Sequence, residues 1–195
     1  MIICVTDQAS MGFSFLKQFE SICNGKPDQV ILRAKHLDAY DYEQLAIRCL
    51  DIASKHHTRL LLHSHIHLSK KLNHLYIHLP FDQFISEYRV LDEFKIISVA
   101  VHSVREAQLA AFLGATQVVA GHVFRTDCKS SIAPRGLSFI KEISSNASIP
   151  VMAIGGITPE RHKALISAGA KGVCIMSSVM NSPEPEALIR KYKAL

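Results

Sequence analysis

Eight short apolar runs separated by helix-patterned stretches constrain the fold of this chain more than any other feature. The runs are Ile2–Val5, Gln29–Leu32, Arg59–Leu62, Leu75–Ile77, Ile96–Val99, Gln117–Ala120, Val151–Ile154 and Gly172–Ile175. Several are apolar without alternation, as expected of parallel strands covered on both faces. The stretch Tyr42–Lys55 places Leu45, Ala46, Cys49, Leu50 and Ala53 on one helical stripe. Ser103–Leu113 opens with Ser103 and Glu106, a capping box, and stops at Gly114. Thr158–Ala168 has Pro159 at its first helical position and Gly169 just past its end. This alternation predicts a (β/α)8 TIM barrel, one compact domain over residues 1–195. The length is short for that fold, so loops and some helices must be trimmed. An open doubly wound sheet is the alternative, but no glycine-rich dinucleotide turn follows the first run.

A barrel of this kind builds its active site at the C-terminal ends of its strands. Those ends carry Thr6 and Asp7, then Arg33 and Lys35, then His63, Ser64 and His65, then His78, His102 and His122. The last two ends carry Gly155-Gly156 and Ser177-Ser178. The glycines let backbone N–H groups approach phosphate oxygens, and the serines add further donors. Their place after strands 7 and 8 is where such barrels usually hold phosphate; the plain alternative is a tight turn and a helix cap. His122 offers an imidazole, the side-chain class suited to acid–base work near neutrality, or else a histidine that merely hydrogen-bonds at a strand end.

The stretch His63-Ser64-His65-Ile66-His67, with His74 and His78 nearby, invites a zinc reading through alternating histidines. No acidic or cysteine ligand accompanies them, so site-lining or solvated imidazoles are the preferred reading. Cys128, beside Lys129, is a weaker nucleophile candidate than His122 is a base. The five cysteines form no CxxC pair. Cys4 and Cys174 lie in apolar runs and read as buried small hydrophobes. A formal net charge of +5 with scattered Lys and Arg fits an anionic small substrate better than nucleic acid. No apolar run reaches membrane-spanning length, and the start shows no charged n-region or cleavage site. The expectations are a cytoplasmic protein, no nucleic-acid or membrane partner, and a homodimer as the guess for assembly.

The segments Leu32-Arg33-Ala34-Lys35, Ile77-His78-Leu79-Pro80, Ser98 to Ser103, GHVFRTDCK from Gly121, PVMAIGGITPE from Pro150 and Gly172 to Ser178 resemble the thiamine phosphate synthase/TenI superfamily. The resemblance runs along nearly the whole chain and implies the same barrel. It also implies one of two activities. The synthase branch joins a pyrimidine pyrophosphate to a thiazole phosphate with magnesium, and carries Asn-Asp after strand 3 and an aspartate after strand 4. Here those places hold His63-Ser64 and Gln83. That branch also has Gly-Pro-x-Phe after strand 6, where this chain reads Gly121-His122-Val123-Phe124. The tautomerase branch, TenI, has the histidine.

The resemblance therefore implies a thiazole tautomerase, needing no metal and no cofactor, that converts a non-aromatic carboxythiazole phosphate tautomer to the aromatic one. It casts His122 as the proton carrier and Gly155, Gly156, Ser177 and Ser178 as the phosphate anchor. Arg33 would meet the carboxylate, and Lys35 or Lys129 less surely. Thiamine phosphate synthase is the first alternative, and a non-catalytic phosphate-ligand-binding regulatory protein the second.

Overall fold

A computed structural model describes residues 1–7, 14–126 and 132–195. Its eight parallel strands close in sequence order into a barrel. They are β1 (Ile2–Val5), β2 (Gln29–Leu32), β3 (Arg59–His63), β4 (Tyr76–Pro80), β5 (Ile96–Val101), β6 (Gln117–Gly121), β7 (Val151–Ile154) and β8 (Gly172–Ile175). The surrounding helices are α1 (Phe15–Asn24), α2 (Ala39–Lys55), α3 (Ile66–Lys71), α4 (Phe81–Glu87), α5 (Val104–Phe112), α6 (Gly136–Asn146), α7 (Pro159–Ser167), α8 (Ser177–Met180) and α9 (Pro185–Lys193). The (β/α)8 expectation holds.

Side-chain alternation along each strand makes two cores. Ile2 and Cys4, Val30 and Leu32, and Val173 and Ile175 face out into the layer under the helices. Ile3, Val5, Ile31, Leu61, Val119, Met152 and Cys174 face in and fill the barrel. At the floor the amides of Gln29 and Gln117 exchange hydrogen bonds of 3.1 and 2.8 Å, so a buried polar pair is satisfied by itself.

Four strands run further than the apolar runs predict, β3 and β6 by one residue, to His63 and Gly121, and two by more. β4 continues through His78 to Pro80, and β5 continues to Val101. The cause is the inward face at the barrel mouth, which holds polar or small groups. His78, Pro80 and Ala100 are such residues, and they weaken an apolar pattern without ending the strand. Helix α2 starts at Ala39, three residues before the predicted start, because the Asp38 side chain caps it by accepting from the Asp41 N–H at 2.8 Å. The Ser103 cap at α5 forms as predicted, with Ser103 Oγ accepting from the Glu106 N–H at 3.1 Å, but Glu106 Oε2 reaches one residue further back than the box requires and accepts from the His102 N–H at 2.6 Å. Cys4 and Cys174 are buried, as are Cys23 and Cys49. No helix among the described residues is long and apolar enough to cross a membrane.

Candidate active site

The mouth of the barrel opens on a cavity of about 520 Å³ at the C-terminal strand ends. Its lining includes Arg33, Lys35, His63, His78, His102, His122, Gly155, Gly156, Ser177 and Ser178. The predicted base, cations and phosphate-anchor residues therefore converge there except Lys129, which, like Cys128, lies outside the described residues; of the other strand-end residues, Ser64 and His65 line a separate cavity, and Thr6 and Asp7 are not part of this lining.

His122 follows β6 and is 4% exposed. Its Nε2 lies 3.2 Å from the Ile132 carbonyl oxygen. A carbonyl only accepts, so this bond places the ring proton on Nε2 and leaves the Nδ1 lone pair available. Arg135 and Gly136 pack their backbone against it. The Arg135 N–H donates to the His122 carbonyl at 3.1 Å, and the Gly136 N–H donates to the Val123 carbonyl at 2.9 Å.

The Gly155-Gly156 turn presses on the same segment. Both residues have positive φ, +105° and +63°. A Cβ on Gly155 would collide with the His122 Cβ and lie 2.8 Å from its Cα; one on Gly156 would lie 2.5 Å from the Arg125 carbonyl oxygen. The Val123 N–H reaches the Ile154 carbonyl at 2.9 Å, and the Phe124 N–H reaches the Gly155 carbonyl at 3.0 Å. The glycines thus do more than the sequence suggests. They line the cavity, and they also let the β7 turn seat His122.

Two supports were not anticipated from the sequence. Arg161 of α7 donates to the Gly156 carbonyl at 2.6 Å and stacks 4.5 Å over the Phe124 ring, so it ties the glycine turn to the His122 segment. Gln18 of α1 donates through Nε2 to the carbonyls of Val179, Met180 and Ser182 at 2.9, 3.1 and 2.9 Å. It fixes the short helix opened by Ser177 and Ser178. Both contacts join segments whose pairing no local pattern reveals.

The β2–β4 side of the mouth is built from side chains. Thr6 Oγ1 accepts from the Arg33 N–H at 2.9 Å, and one guanidinium nitrogen of Arg33 meets Asp7 Oδ1 at 3.0 Å. Tyr42 donates to the Leu32 carbonyl at 2.8 Å and accepts from the His63 N–H at 3.0 Å, pinning the ends of β2 and β3. Burial pushes its phenol up. The His63 ring is pushed down to about 3, by burial first and then by His78, Lys35 and Arg33. Burial, then Lys35, takes His78 down to about 4.

The alternating histidines do not share a face. β3 ends at His63, and Ser64 turns the chain with φ +68°. His65 leaves to stack on Tyr42 with ring centroids 3.8 Å apart, His67 lines a second, outer cavity, and His74 bonds the Leu60 carbonyl. The alternation argument required a continuing strand, and the strand stops. Among the described residues no three His, Cys, Asp or Glu side chains are placed to hold a metal ion.

The family profile described as thiamine monophosphate synthase matches residues 2–179. The chain belongs to this family. It is 29% identical over 184 residues to the thiamine-phosphate synthase of Clostridium novyi (strain NT), covering 92% of this chain and 90% of that one. It is 30% identical over 199 residues to that of Roseiflexus sp. (strain RS-1), covering 100% and 84%. The thiamine phosphate pyrophosphorylase of Pyrococcus furiosus superposes with a TM-score of 0.84 at 18% identity, covering 99% of this chain and 93% of that one, which supports the fold. The superfamily resemblance is thus established. The names of these relatives favour the synthase reading, placed second in the sequence analysis, over the tautomerase reading.

Proposed function

We propose that this chain acts on a phosphorylated thiazole and moves a proton on it through His122, as a thiazole tautomerase. The observation that carries this reading is the seating of His122 with its Nε2–H on a backbone carbonyl, which leaves Nδ1 as a base at the cavity wall. Nδ1 takes the proton from ring carbon, and the same imidazole returns it at the exocyclic carbon. A positioned base of this kind contributes roughly 10² to 10⁴ in rate. The backbone of Gly155-Gly156 and the hydroxyls of Ser177-Ser178 anchor the phosphate on the wall beside it. The base and the phosphate anchor are thereby held at fixed separation, so that phosphate binding positions the reacting carbon.

The second reading is thiamine phosphate synthase, and the names of the curated relatives favour it. The residues here do not suit its magnesium. That ion takes hard oxygen ligands such as carboxylates. Where the synthase pattern has acids, this chain has His63-Ser64 and Gln83, and Gln83 Nε2 donates to the Ser64 carbonyl at 2.8 Å. Two carboxylates do line the cavity, Asp82 and Glu106; Glu106 is engaged with the His102 N–H, and among the described residues neither belongs to a group of three side chains placed to hold a metal ion.

Two assays on the purified protein separate the readings. The first supplies freshly generated thiazole tautomer with EDTA and follows the aromatic product by absorbance. The second supplies thiazole phosphate, pyrimidine pyrophosphate and magnesium. Metal-independent turnover in the first is the expected result. Turnover confined to the second makes the chain a synthase.

A further inference from the structure

The proton shift leaves the β3–β4 part of the cavity without a task. His63 and His78 face each other there in the strand register, with ring centroids 5.6 Å apart. Both are buried and both line the cavity. Each ring gives Nδ1 to a serine: His63 meets Ser64 Oγ at 2.8 Å, and His78 meets Ser98 Oγ at 2.9 Å. Ser98 is fully buried, and its hydroxyl has no other hydrogen-bond partner among the described residues. The hydroxyl hydrogen is satisfied only if it is donated to Nδ1, which puts the His78 ring proton on Nε2. The enclosed side-chain polar atoms that lack a partner among the described residues belong to Thr58, Ser144 and His162, not to this pair. The Nε2 atoms therefore meet the cavity and not a sealed void.

Both rings are uncharged at neutral pH, because burial and the nearby cations hold them down. One guanidinium nitrogen of Arg33 is already engaged by Asp7. A neutral donor can give an anionic oxygen a directional hydrogen bond without burying a further cation.

We propose that the His63–His78 pair reads a carboxylate on the substrate ring, the His78 Nε2–H donating to one of its oxygens and the uncharged His63 ring lining the same pocket, across the cavity from the glycine and serine pairs. The pair thereby sets the specificity for a ligand acidic at both ends, phosphate at one and carboxylate at the other. This rests on the reading that the substrate is a phosphorylated thiazole.

The test is calorimetric titration with two ligands, thiazole phosphate bearing the ring carboxylate and the same compound without it. The wild type should prefer the carboxylated ligand by about tenfold or more. The paired variant His78→Leu with Ser98→Ala, which leaves no orphaned hydroxyl, should lose most of that preference. Its affinity for the uncarboxylated ligand should stay unchanged. A second measurement needs no variant: in protein with ¹⁵N-labelled histidine, the His78 Nε2–H signal should move on adding the carboxylated ligand and stay put on adding the other. Equal wild-type affinity for the two ligands, or an unmoved His78 signal, overturns the inference and leaves the thiazole reading standing. Failure of both ligands to bind overturns the thiazole reading, and the inference with it.

Discussion

The two walls of the barrel mouth are made in different ways. From β6 to β8 the wall is mainly backbone: a glycine turn with positive φ presses on the His122 segment, and carbonyls of Ile132, Ile154 and Gly155 hold it. From β2 to β4 it is mainly side chain: Arg33 on Asp7, and two imidazoles on two serines. A backbone wall fixes distances and tolerates little, since any Cβ at Gly155 must displace the histidine. A side-chain wall fixes chemical character and is free to change residue type.

If the contrast is right, the most damaging change on the backbone wall is Gly155→Ala. It combines positive φ with a collision against His122. Turnover should fall at least 10²-fold, with a stability loss of about 2 kcal/mol or more by chemical denaturation. Near-normal activity and stability would show that the turn can move away from His122.

The side-chain wall should instead reveal itself through acid. His63 and His78 titrate far below an unfolded histidine. Their folded values are depressed, so the unfolded chain binds more protons between about pH 6.5 and 3. Their contribution to stability is complete above about pH 6.5 and is lost as pH falls toward 3. Each group costs on the order of 1.4 kcal/mol for every pH unit over which it stays neutral while its unfolded counterpart is charged. Urea unfolding at pH 7, 5.5 and 4.5 should show a decline of a few kcal/mol, flatter in the double variant His63→Asn, His78→Gln. A slope identical in that variant would assign the acid sensitivity to other groups.

The smallest effect belongs to the clasp over the backbone wall. Arg161 is exposed, so Arg161→Ala should cost no more than about 1 kcal/mol of stability. It should weaken phosphate-ligand affinity several-fold, because the Gly156 turn loses its tie to Phe124. Unchanged affinity would mean the turn is held without it.

The sequence displays the barrel clearly because burial on both faces leaves apolar runs, which need no knowledge of partners. The list of strand ends is equally legible, since topology sends every end to one mouth. Three things are hidden, each for a physical reason. The hold of Gly155 on His122 spans two strands. The grip of Gln18 on α8 joins residues more than 160 positions apart. The divergence of His65 and His67 from His63 depends on one backbone turn at Ser64. Local pattern reports periodicity and composition, and contacts of this kind are neither.

The central claim is that His122 is the group that moves the proton, and one substitution tests it most directly. His122→Asn keeps a polar side chain at the end of β6 and removes the imidazole. The account predicts wild-type affinity for the phosphate ligand, an unchanged unfolding midpoint, and a 10²- to 10⁴-fold loss of metal-free tautomer turnover. Full turnover in a folded, ligand-binding His122→Asn protein would contradict it.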